Sequence, residues 1–373
     1  MFPKLRFKEF DGDLTESKLV ELTSWASGGT PAKDVPEYWG DDIPLISGAS
    51  MHTNQLYESD VKITKLGLQK GSKLALKDSI LILVRGSMLF NKIPMGITLG
   101  DVAFNQDVKC IRPKQQLAPL FLFQWLHAKE NTIQNKVTAT GIGAGKLDTA
   151  DLQNLKLYKP SLEEQTKIAT FLSAVDEKIS QLTQKHQLLR EYKQGMMQKL
   201  FSQQVRFKAD DKSEFGEWEE KELKDIAEIN PKSKKLPESF IYIDLESVEK
   251  GKLLLQKNIE LQDAPSRAQR LLAKGDVLFQ MVRPYQQNNY YFNLSGEYVA
   301  STGYAQIRTK LDSKFIYYAL HEKTFLDEVM NRCTGTSYPA INSSDLSSIE
   351  ILIPCLEEQT KIANFLSSID QKI

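Results

Sequence analysis

Between Leu162 and Leu200 the apolar residues recur at a 4-3 spacing. Ile168, Leu172, Val175, Ile179, Leu182, Leu189, Met196 and Leu200 carry the stripe, and His186 and Lys193 are its two polar interruptions. A 3.5-residue period is the seam of a coiled coil. Pro160 and Ser161 precede it as a start signal, with Ser161 the predicted N-cap and Glu163 and Glu164 in the first turn, where the helix dipole favours acids. At 1.5 Å per residue, roughly 40 residues predict a rod of about 60 Å. The pattern then returns. PSLEEQTKIATFLSAVDEKI at 160–179 and PCLEEQTKIANFLSSIDQKI at 354–373 agree at fifteen of twenty positions, with a constant offset of 194. Ile362, Leu366, Ile369 and Ile373 repeat the seam. The repeat is too long for a solenoid module and predicts one chain built from two halves, each a head followed by a helix. The natural partner of each helix is the other, packed antiparallel.

The two heads, 1–159 and 205–353, follow one plan at much lower identity. Each opens on Arg-Phe-Lys (Arg6-Phe7-Lys8; Arg206-Phe207-Lys208), followed by an acidic stretch and a short helical pattern (Ser17-Lys18-Leu19; Lys221-Glu222-Leu223). Each has apolar runs of strand length, at Ile80–Ser87 and Asp276–Pro284, with Arg85 and Arg283 in matching places behind them. An amphipathic helix follows (Leu120–Lys129; Phe315–Leu326), then a Gly/Thr-rich turn (Thr138–Lys146; Cys333–Pro339). The expected class is α+β, with two β-rich domains separated by long antiparallel coiled-coil helices and related by a pseudo-two-fold internal repeat. The expected boundaries are 1–159, 160–204, 205–353 and 354–373. The second helix copy stops part-way through the first copy's length, so Leu182, Leu189, Met196 and Leu200 are expected to lack a partner within the chain. Near-identical helices joined to divergent loops suit a frame that presents two different binding surfaces.

Composition narrows the function. The formal net charge of the 373 residues is zero. Residues 1–160 carry 20 Lys+Arg against 17 Asp+Glu, and residues 206–350 carry 20 against 23. Neither half is a basic arm, so any nucleic-acid contact needs a local basic surface or a partner's phosphate contacts. No apolar run reaches membrane-spanning length, and the N-terminal MFPKLRFKEF has no signal-peptide core, which predicts a cytoplasmic protein. Cys110, Cys333 and Cys355 are scattered and fit neither a disulfide framework nor a metal site.

Catalytic signatures are missing. Gly141-Ile142-Gly143-Ala144-Gly145-Lys146 has Thr140 and Leu147 where a Walker loop needs Gly and Ser/Thr. Gly28-Gly29-Thr30-Pro31 reads as a turn. His321-Glu322 lacks the second histidine of a zinc-protease helix, there is no GxSxG, and Asn230-Pro231-Lys232 is not an adenine-methylation motif. No catalytic residue, cofactor or metal is expected. A non-catalytic coiled-coil scaffold with two protein-binding heads is the alternative, and an enzyme with its own methylation or nuclease activity is a second.

Several segments together carry a family resemblance. They are GGTP at 28–31 with EYWGDDIPLI at 37–46, INPK at 229–232, YIDLESV at 242–248, PSRAQR at 265–270, KGDVLFQMVRP at 274–284, STGYAQIR at 301–308 and the two EEQTKIA helices. The chain resembles the specificity (S) subunit of type I restriction-modification systems, with a shortened C-terminal conserved helix. The resemblance implies two target-recognition domains, each reading half of a bipartite, asymmetric double-stranded DNA sequence. The helices would set the spacer and dock adenine methyltransferase (M) subunits, which carry S-adenosylmethionine, and a motor-nuclease (R) subunit would join for cleavage. Self-association through the unpaired seam is a further expectation.

Base readout needs Arg, Lys, amide or hydroxyl groups at groove edges. In the second half the candidates are Arg267, Arg270, Arg283, Tyr285, Gln287, Asn288, Asn289, Thr302, Tyr304 and Tyr338. In the first they are Arg85, Ser87, Asn91, Lys92, Asn105, Thr140 and Lys146, with the Ser50–Asn54 stretch and Gln106 beside them.

Overall fold

The structure, a computed structural model, describes residues 5–141, 143–232 and 235–373. It divides into two compact units, Met1–Gln181 and Leu182–Ile373, with the boundary inside the long helix Leu162–Phe201.

Each unit is built on two sheets in the same strand order. In the first unit, a five-stranded sheet runs Thr23–Ser27, Val108–Pro113, Ile80–Leu83, Met95–Thr98, Gln55–Leu56. A four-stranded sheet runs Lys62–Ile63, Trp39–Ile46, Val102–Phe104, Lys73–Ala75. In the second unit the counterparts run Ala227–Ile229, Tyr304–Thr309, Val277–Gln280, Tyr290–Tyr291 and Lys257–Glu260, Ser239–Ile243, Tyr298–Ser301, Ala268–Leu271. The second sheet of each unit has one parallel pair, Val102–Phe104 with Trp39–Ile46 and Tyr298–Ser301 with Ser239–Ile243. The strands Ile80–Leu83 and Val277–Gln280 are buried at all four positions, which is why they read as continuous runs rather than alternating ones.

The chain ends of each unit are tied together in the same way. Thr15–Lys18 pairs antiparallel with Lys156–Lys159, and Glu219–Glu222 with Glu350–Ile353. The segments Ser17–Leu19 and Lys221–Leu223, predicted helical, are therefore strands that turn into one-turn helices at Leu19–Leu22 and Leu223–Ile226. Sheet pairing with a strand more than a hundred residues away overrides the local pattern. The predicted helix Phe315–Leu326 is two helices, Ser313–Ala319 and Lys323–Asn331. Glu322 ends the first stretch and caps the second by accepting from the Thr324 and Phe325 amides. Its counterpart lies at Pro119–Ala128, followed by Glu130–Gln134.

Beyond the strand pair, the arginine of each Arg-Phe-Lys motif grips the first turn of the repeated helix. Arg6 donates from Nε and Nη2 to Glu164 at 2.7 Å each, and Arg206 donates to Glu358 at 3.1 and 2.7 Å. Both glutamates are buried, and Trp218 Nε1 adds a third bond to Glu358. The following glutamines bridge in parallel. Gln165 accepts from the Ala118 amide and donates to the Pro160 carbonyl, and Gln359 accepts from the Asp312 amide and donates to the Pro354 carbonyl. Phe7 meets Phe171 edge-on as Phe207 meets Phe365.

The helix expectation holds in part. Ser161 Oγ accepts from the Glu164 amide at 3.3 Å, as an N-cap should. Within the second unit, the end of the long helix packs antiparallel on the distal helix Leu356–Asp370. Lys193 bonds Asp370 at 2.6 Å, Tyr192 meets Phe365, and Met196, Met197 and Leu200 join the core of Ile362 and Leu366. Ile369 is buried too. Met196 and Leu200 therefore have a partner, contrary to the expectation, and Leu189 is half-buried. An antiparallel pair matches the first turns of the short helix to the last turns of the long one. The residues left bare are earlier. Ile168 packs on the first unit's core, but Phe171, Leu172, Val175, Ile179 and Leu182 are exposed, Ile179 by 57%. Among the described residues no helix is long and apolar enough to cross a membrane.

Removing one partner of a buried, charge-assisted cluster leaves the rest desolvated and unpaired. Glu358→Ala strands Arg206 and Trp218 and should destabilise the second unit by about 3 kcal/mol. Urea unfolding checks this, and an unchanged midpoint would refute the clamp.

Candidate nucleic-acid interface

The strand Val277–Gln280 delivers the chain to a compact loop in the second unit. Arg283 and Gln287 both adopt left-handed backbone (φ +54° and +53°), on either side of the turn Pro284–Gln286. Such a conformation costs a non-glycine residue roughly 1 kcal/mol or more and persists only when its surroundings fix it. The surroundings here are polar, with Gln280 and Asn289 buried at their centre. Gln280 Nε2 donates to the Val282 carbonyl and to Gln286 Oε1, and its Oε1 accepts from the Asn288 amide. Asn289 Oδ1 accepts from the Gln280 amide at 2.8 Å, and its Nδ2 lies 3.3 Å from His321 Nε2. His321 Nδ1 faces the Tyr317 carbonyl at 2.7 Å. A carbonyl can only accept, so Nδ1 carries the proton and Nε2 is left as acceptor for Asn289. The network requires a neutral imidazole.

The second loop of the site, the Gly/Thr-rich turn, lies alongside. The Arg283 amide donates to the Pro339 carbonyl at 2.7 Å, and Val282 bridges Ala340. The Arg283 guanidinium sits 4.2 Å from the centroid of the exposed Tyr338 ring. Cation–π contact of this kind presets an arginine that would otherwise lose side-chain freedom on binding. Tyr285 is exposed next to it.

The first unit joins the same two segments. Arg85–Gly86 pairs with Gly145–Lys146, which pairs with Thr138–Ala139. The Thr140 amide and hydroxyl both bond the Ala144 carbonyl, so 138–146 is a tight hairpin rather than a phosphate cradle. Ile142 lies outside the described residues. A Cβ on Gly145 would stand 2.9 Å from the Gly86 carbonyl oxygen, which explains the glycine. Ladder bonds set the correspondence between units, because the Leu147 amide donates to the Val84 carbonyl and the Ile341 amide to the Met281 carbonyl. Arg85 therefore matches Val282, and Gly86 (φ +145°) matches Arg283. The two arginines stand one residue out of step, not in the equivalent places their spacing suggested.

Of the remaining candidates, Ser87, Asn91 and Lys92 are exposed on the loop after Arg85, and Lys146 beside it. Asn105 caps its own turn by accepting from the Asp107 amide. With Thr30, Lys33, Trp39, Ser47 and Gln106 it lines an open cavity of about 530 Å³. Ser50 bonds back to Ser47, and the Asn54 carbonyl holds the Ile97 amide. Arg267 is exposed, and its carbonyl accepts from the Thr302 amide. Arg270 is partly buried, with no partner for Nε among the described residues, and burial pushes its pKa down. Two candidates do not face solvent. Tyr304 is wholly buried in a strand, and Asn289 is buried under its loop, so neither side chain meets a groove edge. Asn288 is half-buried and accepts from the Lys250 amide. Gln280 and His321 are not among the candidates, although Gln286 lies in the candidate loop 283–290. A glutamine inside the apolar run DVLFQMV was the available signal.

Motif residues such as Asn230 serve the frame, accepting from the Gln306 amide and donating to Ser343. A Cβ on Gly28 would lie 2.1 Å from the Phe104 carbonyl oxygen, so the Gly-Gly pair is a close backbone contact.

Residues 12–190 and 216–373 match the family described as Type I restriction modification DNA specificity domain. The chain belongs to that family. It is 27% identical to the Type I restriction enzyme MjaVIII specificity subunit of Methanocaldococcus jannaschii over 98% of this chain and 89% of that one. It is 29% identical to the EcoR124I/EcoR124II specificity subunit of Escherichia coli over 48% of this chain and 45% of that one. The fold matches the crystal structure of a type I restriction-modification S subunit from M. genitalium with a TM-score of 0.64. That match has 17% identity and covers all of this chain and 93% of the other.

Burial lowers the His321 pKa to about 4 from 6.5. Lys193 acts in the same direction, and the Tyr317 and Gln287 backbone and Asp370 oppose it. The unfolded chain takes the proton more readily, so stability from this site is complete above about pH 6.5 and is lost as pH falls towards 4. Replacing His321 by Gln should flatten the fall in urea midpoint between pH 7 and pH 5. Equal slopes for both proteins would contradict a histidine held neutral in the fold.

Proposed function

We propose that this chain is the DNA sequence-specificity subunit of a type I restriction-modification complex and reads a bipartite, asymmetric duplex target, one half-site per unit. The observation that carries this reading is the same frame presenting different loops. Arg85–Lys92 beside Thr138–Lys146 in one unit answers to Arg283–Asn288 beside Thr334–Ala340 in the other. The frame fixes where the loops stand, and their residues set what is read. Segments 1–159 and 205–353 are the target-recognition domains, and 160–204 and 354–373 the connecting helices. With near-neutral charge, the chain relies on adenine methyltransferase subunits for much of the phosphate contact and for the chemistry, and a motor-nuclease subunit joins for cleavage. The chain itself is non-catalytic and works in the cytoplasm.

The exposed Leu172, Val175, Ile179 and Leu182 are where we place a helical partner, a second copy of this chain. At the 194 offset their counterparts Leu366 and Ile369 are covered by another helix. A dilution-resistant dimer in light scattering supports this, and a stable monomer rejects it.

The test of function is adenine methylation mapped in cells that express the chain with its methyltransferase. The unaltered chain should give one bipartite motif. Arg283→Ala should relax one half-site, with about 1–3 kcal/mol of discrimination lost at the affected base pair, and leave the other intact. Methylation indifferent to the chain's presence and sequence would overturn the reading.

A further inference from the structure

The 194 offset extends beyond the helices. Gln124 bonds Asp176 at 2.8 Å and Tyr318 bonds Asp370 at 2.6 Å, the same two positions in each unit. One position along this register carries a histidine in both. His127 packs edge-on against Phe123, with ring centroids 4.8 Å apart, and His321 against Tyr317 at 4.5 Å. The two then differ. His127 Nε2 is buried without a partner among the described residues, whereas His321 Nε2 accepts from Asn289 and so reaches the loop that carries Arg283. The strands beneath differ in step. Leu83 occupies the place of Gln280, and the first loop is closed by buried Leu89, by Glu130 accepting from the Ile93 amide and by Gln134 donating to the Phe90 carbonyl. One loop rests on buried leucines with two side-chain bonds at its far end, the other on a chain of hydrogen bonds that starts in the strand itself.

Resting on the function proposed above, we infer that Gln280, Asn289 and His321 are positioning residues for the second half-site. They touch no DNA, yet hold Arg283 and Gln287 in left-handed backbone and so fix the reading geometry before DNA arrives. Pre-organisation of this kind acts on discrimination, because a loosened loop can settle against wrong bases while its charge still meets phosphates. Without its acceptor at Nε2, the Asn289 amide turns or seeks water, and the Oδ1 bond to the Gln280 amide goes with it. The first unit supplies the contrast, since His127 makes no hydrogen bond to its loop among the described residues and meets the loop-closing Glu130 only at 4.0 Å from Nδ1.

The experiment uses the complex assembled with the methyltransferase. Competition binding is run against the methylome-defined target, against duplexes altered in either half-site, and against random duplex. His321→Leu and Gln280→Leu should each reduce discrimination at the second half-site about tenfold or more, leaving the first half-site and random-duplex affinity unchanged. His321→Gln keeps an acceptor for Asn289 and should restore most of the loss. His127→Leu should change neither half-site. A cooperative urea transition of the second unit, retained in each variant, shows that this unit is folded. Full second-half-site discrimination in His321→Leu would overturn the inference. So would equal losses at both half-sites, or a glutamine variant no better than leucine. An unaltered complex with no sequence preference would instead overturn the functional reading and take this inference with it.

Discussion

The structure depends on closing each unit at the point where its chain leaves for the helix. Arg6 on Glu164 and Arg206 on Glu358 are bidentate pairs, half-buried arginines on buried glutamates, that join the start of a unit to the first turn of the helix that ends it. The pairs Thr15–Lys18 with Lys156–Lys159 and Glu219–Glu222 with Glu350–Ile353 zip the same ends together. A carboxylate taken out of water is tolerable only with its charge matched and its lone pairs used, so this junction admits little variation. That accounts for the unequal divergence of the chain. The EEQTKIA turn must present the same glutamate and glutamine to the same partners twice, while loops at the strand ends carry no such obligation.

The freedom left to the loops has been used differently in the two units. At the matching strand position one unit has Leu83 and the other Gln280, and the loop beyond each is built to suit. An apolar plug tolerates exchange among residues of similar volume. A polar network does not, because every buried donor and acceptor in it must find its partner. The second loop is thus the more tightly specified, and the stacking of Arg283 on Tyr338 adds to that order.

Much of the frame was legible in the sequence because it rests on periodicity and repetition. The long helix, predicted over Leu162–Leu200, spans Leu162–Phe201, and the apolar runs at 80–83 and 277–280 are central strands. What escaped was long-range. The strand at Thr15–Lys18 exists because of Lys156–Lys159, and the helix break at Leu320–Glu322 because Glu322 turns back to cap. Which part of the seam is covered followed from antiparallel geometry, so Met196 and Leu200 are packed while Leu172 and Ile179 are bare. Residue type alone marks a candidate reader, and it cannot distinguish the stacked Arg283 from the buried Tyr304. Arg85 and Arg283 looked equivalent only because ladder register is invisible without coordinates.

If the junction fixes the frame and the loops fix the target, the region between the junctions should be transferable. The Leu19 amide bonds the Leu155 carbonyl as the Leu223 amide bonds the Ile349 carbonyl, at 2.9 and 3.0 Å, which marks equivalent cut points. The most direct measurement is the methylome of cells in which residues 223–349 are replaced by a second copy of residues 19–155. A motif containing the first half-site twice is the predicted result. An unchanged asymmetric motif from a folded, assembled chimera would contradict it.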